Sequence, residues 1–156
     1  MKVMPEGVVR MSEYVHKSHS VSVLLYHYVC PAKYRKVIFS DEVDNALREV
    51  CEEISKRYDI KFLEIGTDDD HVHFLIQSIP RISPGQIMKT VKSITSREIF
   101  KKCPDVKKEL WGGELWSDGY FVSTVGRNGS EEQIEEYVKK QGKAYKKLHE
   151  EQMTLW

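Results

Sequence analysis

Hydrophobic and polar positions along the chain follow two rhythms, and the points where one replaces the other divide it into short elements. Residues 21–29 (VSVLLYHYV) are rich in β-branched and aromatic side chains and predict a strand that ends near Pro31, which has no N–H to give a ladder. From Ser40 the period lengthens. Ser40 suits an N-cap, Asp41 and Glu42 fall in the first turn, and Val43, Leu47, Val50, Ile54 and Tyr58 recur as one helical stripe. Residues 60–66 predict a second strand and 71–77 a third, joined through Asp68, Asp69 and Asp70 as a tight hairpin. Ser83 followed by Pro84 marks a second helix start; Ile87, Val91 and Ile94 form its apolar face, while Lys89, Lys92, Ser96 and Arg97 point elsewhere. Residues 119–126 (GYFVSTVG) alternate as a fourth strand, the glycine-rich GRNGS segment follows as a hinge, and Ser130 caps a last helix running to about residue 150.

The order βαββαβα predicts an α+β fold, a ferredoxin-like (RRM-like) antiparallel sheet with two helices on one face and a helix appended at the C-terminus. At 156 residues the chain is read as one domain over 1–156, with 1–18 an N-terminal extension and 130–150 the last helix.

Composition changes this picture little. Hydrophobic residues make up 40% and charged residues 31%, ordinary values for a globular domain. No run is long and apolar enough to span a membrane, and the first ten residues lack the core of a signal peptide, so a cytoplasmic protein is expected. Cys30, Cys51 and Cys103 are odd in number and far apart, which predicts reduced structural thiols and no thiolate zinc site. Charge matters more. Lys plus Arg equals Asp plus Glu at 24 each, yet residues 41–70 carry eleven acids against four bases, 81–111 carry eight bases against three acids, and 17–36 carry four bases and no acid. A basic surface is compatible with a neutral chain.

Chemistry concentrates at His71-Val72-His73. Residues two apart in a strand share a face, so both imidazoles project side by side, while Val72, Phe74 and Ile76 turn to the helices. Two neutral imidazoles so placed make a divalent-metal site that lacks a third ligand. On the last helix Tyr137 and Gln141 are four apart and share a face, which would bring a phenol and an oxygen ligand together. Taken singly, each motif is more often a packing or surface feature.

Together they resemble a family. HVH followed some sixty residues later by Y-x-x-x-Q is similar to the single-tyrosine HUH (histidine, hydrophobic, histidine) transposases of small bacterial and archaeal insertion sequences, the two-hundred/six-hundred-five family. YHYVCPAKYR at 26–35 resembles that family's first strand, and WSDGYFVSTVG at 116–126 its penultimate strand. The resemblance covers about residues 20–145. It implies that Tyr137 is the nucleophile, that His71, His73 and Gln141 hold Mg²⁺ or Mn²⁺, and that the substrate is a single-stranded DNA hairpin at each transposon end. It also implies a homodimer in which the tyrosine helix of one subunit completes the site of the other. Cys30 and Ala32 depart from the family pattern.

Such a site suits phosphodiester transfer, where one cation neutralises a nonbridging oxygen and tyrosine attacks in line, leaving a 5′-phosphotyrosine that can be resealed without ATP. No general base is assured by the sequence; Asp70 would face away from the histidines if the strand has begun there. Lys33, Tyr34, Arg35, Lys89, Lys92 and Arg97 are candidate DNA contacts. Trp111 and Trp116 read more readily as packing residues than as base-stacking ones. Other readings are a Rep-like nickase, a domesticated repeat-processing relative, a metal-dependent phosphoesterase, and a noncatalytic ferredoxin-like nucleic-acid-binding module.

Overall fold

The computed structural model of the chain describes residues 14–110 and 112–126. Tyr137, Gln141, Trp111, the last helix and most of the GRNGS segment lie outside the described residues.

Two strands, β1 (Val15–Lys17) and β2 (Ser20–Ser22), form a small antiparallel ribbon that precedes the main sheet. The segment 21–29, expected as one strand, is therefore divided at Val23. Ser20 and Ser22 alternate with Val21, which is 61% exposed, so β2 has no buried face and pairs only with β1. β1 falls within the stretch expected as an extension.

β3 (Leu24–Pro31), α1 (Asp41–Arg57), β4 (Lys61–Thr67), β5 (His71–Ser78), α2 (Pro84–Lys102), α3 (Pro104–Glu109) and β6 (Phe121–Thr124) make up the body. Their sheet runs β4-β5-β3-β6 and every neighbouring pair is antiparallel. With α1 and α2 as the two crossovers, this is the ferredoxin-like arrangement the sequence predicts.

Local chemistry explains the helix starts. The Ser40 hydroxyl accepts from the Val43 N–H, and Ser83 and Gln86 form a reciprocal capping box with Pro84 in the first turn. Pro104 explains the break between α2 and α3, since the residue before a proline avoids the helical region and proline itself opens the next helix. That short helix was not expected from periodicity.

The core lies between the helices and one face of the sheet. Tyr28 and Cys30 from β3 and Val72, Phe74 and Ile76 from β5 meet Val43, Leu47, Val50 and Ile54 of α1 and Ile87 and Val91 of α2, all buried. Cys30, Cys51 and Cys103 are free and buried, as the sequence predicts. On the opposite face a smaller apolar cluster joins Leu25 and Leu75. That face carries the site.

Candidate metal centre

Alternation along β5 sends His71, His73, Leu75 and Gln77 to the face away from the helices. The two imidazoles stand beside each other, ring centroids 5.2 Å apart and nearly perpendicular. They are 2% and 6% exposed, so the site is buried on both sides of the strand.

A third histidine joins them. His27 alternates away from Tyr28 and the core, and β3 lies next to β5 with His27 opposite Leu75 and Val29 opposite His73. Its ring stacks on His73 at 5.4 Å, and its Nε2 lies 3.2 Å from His73 Nδ1. Motif spacing did not reveal His27. The signal was present nonetheless, because a ferredoxin-like order makes β3 and β5 neighbours and period two puts His27 on the outer face.

Burial pushes His27 from the ordinary histidine value down to about 4. For His73 burial acts with the positive potential of the neighbouring His27 and His71, bringing it to about 3. Both are neutral at physiological pH.

The acidic turn between β4 and β5 is held from outside. Its Asp70 carbonyl accepts the Ala32 N–H at 2.8 Å, and its Asp69 carbonyl accepts from Ile38 and Phe39. This anchoring sets Asp70 before the strand alternation begins, so its side chain does not turn away as the strand rule alone would have it. Asp70 Oδ1 lies 2.8 Å from His71 Nδ1, while Oδ2 accepts from Arg35 Nε at 3.0 Å and from its terminal nitrogen at 2.9 Å. Burial would raise the Asp70 carboxyl; the hydrogen bonds from His71 and Arg35 outweigh it and hold the group below its ordinary value. Asp68 stands near the other side of the ring, Oδ2 3.7 Å from His71 Nε2.

The donor set fits a divalent cation in part. Two neutral imidazoles suit a softer ion better than Mg²⁺ or Mn²⁺, both of which favour oxygen ligands as further partners. Among the described residues no group of three or more His, Cys, Asp or Glu side chains is arranged to hold a metal ion. His71 and His73 are the candidate pair within the described residues.

The candidate DNA contacts differ in what already holds them. Lys33 is paired with Glu114 at 2.7 Å and sits over the Tyr34 ring, which is 58% exposed. Arg35 is committed to Asp70. Lys92 is turned inward, its ammonium donating to the carbonyls of Ser117, Asp118 and Gly119 at 2.7, 3.2 and 3.0 Å. Lys89 is exposed on α2. Arg97 lines a groove of about 450 Å³ between α1 and α2 beside Glu49, Glu53 and Glu98. That groove lies in the helix layer, across the sheet from the histidines, so concavity does not mark the site. Trp116 is buried and donates to Thr95 Oγ1 at 2.9 Å, a packing role.

A family model described as "Transposase IS200 like" matches residues 20–141. The chain belongs to the IS200-like transposase family. Among IS200-like relatives, the ISDra2 transposase TnpA of Deinococcus radiodurans is 30% identical over 118 residues, 76% of this chain and 84% of that one. The transposase for insertion sequence element IS200 of Salmonella typhimurium is 30% identical over 116 residues, 74% of this chain and 75% of that one. The crystal structure of a Deinococcus radiodurans protein described as a transposase superposes with a TM-score of 0.66 at 28% identity, covering 81% of this chain and 97% of that one. The fold is thus shared with that solved structure. Among the described residues no helix is long and apolar enough to cross a membrane.

Proposed function

We propose that this IS200-like transposase cleaves and rejoins single-stranded DNA at insertion-sequence ends through a 5′-phosphotyrosine formed on Tyr137. The observation that carries the reading is the side-by-side placement of His71 and His73 on the buried outer face of β5. Gln141, four residues after Tyr137, supplies the ligand that the described residues lack.

In this reading His71, His73 and Gln141 hold Mg²⁺ or Mn²⁺, which when bound neutralises charge on a nonbridging phosphate oxygen. The phenol oxygen of Tyr137 attacks the phosphorus, the bond to the 3′-oxygen breaks, and that oxygen leaves as a 3′-hydroxyl. The phenol proton passes to solvent or to a base outside the described residues. Rejoining reverses these bonds, a 3′-hydroxyl attacking the phosphotyrosine and releasing the phenol, so no nucleotide cofactor is needed. The chain acts as a homodimer, the tyrosine helix of one subunit completing the site of the other, on hairpins at the ends of the element. Lys33, Tyr34 and Lys89 remain the best placed of the candidate DNA contacts, because Tyr34 and Lys89 are exposed and Lys33 adjoins the Tyr34 ring.

The test incubates the full chain with Mg²⁺ and labelled, hairpin-bearing single strands and looks for an adduct that survives denaturation. Wild type is expected to give one and Tyr137→Phe none. An adduct that persists in Tyr137→Phe, or no adduct at all from wild type, overturns the mechanism. A noncatalytic binding module would bind the strands equally well in both.

A further inference from the structure

The two candidate ligand imidazoles are held by different partners through the same atom. His71 presents Nδ1 to Asp70 Oδ1 at 2.8 Å, and His73 presents Nδ1 to His27 Nε2 at 3.2 Å. An imidazole coordinates a cation only through a nitrogen that carries a lone pair, and in the neutral ring the other nitrogen bears the proton. A nitrogen engaged at 2.8 or 3.2 Å with a protein atom has no room for a cation between them, since a metal–nitrogen bond alone spans about 2.0–2.1 Å. Only Nε2 remains as the ligating atom on each ring, so each Nδ1 must carry the proton.

We infer that His27 and the Arg35–Asp70 pair are positioning residues that fix His71 and His73 in the Nδ1–H tautomer before a cation arrives, so that Nε2 is the nitrogen by which each ring would hold it. The inference rests on the reading of His71 and His73 as metal ligands. On His71 the lock is a carboxylate, which can only accept, so the direction of the hydrogen bond is settled. Arg35 places both of its contacting nitrogens on Oδ2 and leaves Oδ1 for the imidazole. The arrangement has a visible cost. Tyr34 and Arg35 have φ of 57° and 54°, two successive left-handed residues without a glycine, each worth about 1–3 kcal/mol of strain. The Arg35 contact and the Ala32–Asp70 backbone bond are what that turn delivers to the acidic loop.

On His73 the lock is another imidazole, which can donate or accept. His73 ligates through Nε2 only if His27 Nε2 is the acceptor, which assigns the proton of His27 to its own Nδ1. A neutral partner orients a ligand ring without adding negative charge. The pair of rings is therefore asymmetric, one facing a carboxylate and one a neutral ring. Partners of this kind, once removed, lower metal affinity by about 10–100-fold in metal sites generally.

The experiment uses full-length, metal-free protein with ¹⁵N-labelled histidine. Long-range proton–nitrogen correlation at neutral pH reads each tautomer, and calorimetry with Mn²⁺ reads affinity. Wild type is expected to show Nδ1 protonated in both His71 and His73. His27→Leu should release His73 into a mixture of tautomers, leave His71 unchanged and weaken Mn²⁺ binding about 10–100-fold. Asp70→Leu should do the converse. Asp70→Asn keeps an acceptor oxygen for the His71 N–H, and His27→Gln keeps an acceptor for His73; both should restore the wild-type tautomer and most of the affinity. A wild-type His73 with its proton on Nε2 overturns the proposal without any variant, so a variant that fails to fold leaves it decided. Tautomers and Mn²⁺ affinity unchanged in His27→Leu overturn it too. A missing phosphotyrosine adduct with these tautomers as stated removes the function alone, whereas an intact adduct with the wrong tautomers removes this inference alone.

Discussion

The two faces of β5 are equally buried and chemically opposite. All eight residues of the strand are shielded from solvent. Toward the helices it offers Val72, Phe74 and Ile76, which gain by dispersion and by leaving water. On the other side it offers His71, His73 and Gln77 around Leu75. A buried polar atom left unmet costs about 1–3 kcal/mol, so the second face is tolerable only where each group meets a partner. His27 and Asp70 each meet one nitrogen, the Nδ1, of the two imidazoles. Burial thus says nothing about role here; the kind of atom buried, and what meets it, does.

The largest expected effect lies on the helical face. Phe74 is fully buried against Phe62 and Trp116. Phe74→Ala should lower unfolding free energy by about 3–5 kcal/mol in denaturant titration, with Mn²⁺ affinity of the folded fraction unchanged. A parallel loss of affinity would show that the faces are not independent.

Acid acts on the other face. His27 and His73 have folded values near 4 and 3 against an ordinary 6.5, so below 6.5 the unfolded chain binds protons that the folded chain refuses. The stabilisation from keeping them neutral is complete above that value and is lost as pH falls from 6.5 toward 4 and 3. It amounts to at most about 3 kcal/mol for each ring by pH 4. Urea unfolding of metal-free protein at pH 7, 5 and 4 checks it: His27→Leu should lose less stability on acidification than wild type, and an equal loss would place the titration elsewhere.

Beside α2 the comparison extends to lysines. Lys92→Met leaves three loop carbonyls without their ammonium donor and should cost about 1–3 kcal/mol, whereas Lys89→Met, on the exposed side, should stay within about 0.5 kcal/mol. Melting both variants under one condition separates a structural cation from a surface one; equal effects would undo the distinction.

The frame of the fold was legible because its signals are local. Ser40 and Ser83 cap the helices they predict, and period two put His71 and His73 together on one face of β5. What could not be read depended on tertiary placement. His27 needs the β3–β5 register, and Asp70 reaches His71 only because the backbone at Ala32, Ile38 and Phe39 fixes the turn. Lys92 looked like a free cation because its acceptors arrive from a loop 25 to 27 residues later. Arg35 appeared as a phosphate contact, and its partner was thirty-five residues away. Charge along a sequence shows how many cations exist and leaves open which are already spoken for.

A modest effect on stability is the most informative about the site. His73→Leu replaces a buried imidazole with an apolar group of similar bulk on a face that already holds Leu25 and Leu75. Deleting the ring leaves His27 Nε2 without its 3.2 Å partner, a cost of about 1–3 kcal/mol that the added apolar contact partly offsets, so the loss should stay well below that of Phe74→Ala. The same change deletes half of the candidate ligand pair, so on the proposed reading Mn²⁺ binding should vanish from calorimetry. If His73→Leu instead destabilised the protein as much as Phe74→Ala, His73 would be a core residue that happens to be polar. The outer face of β5 would then be a second core, and the metal centre would have to be sought without it.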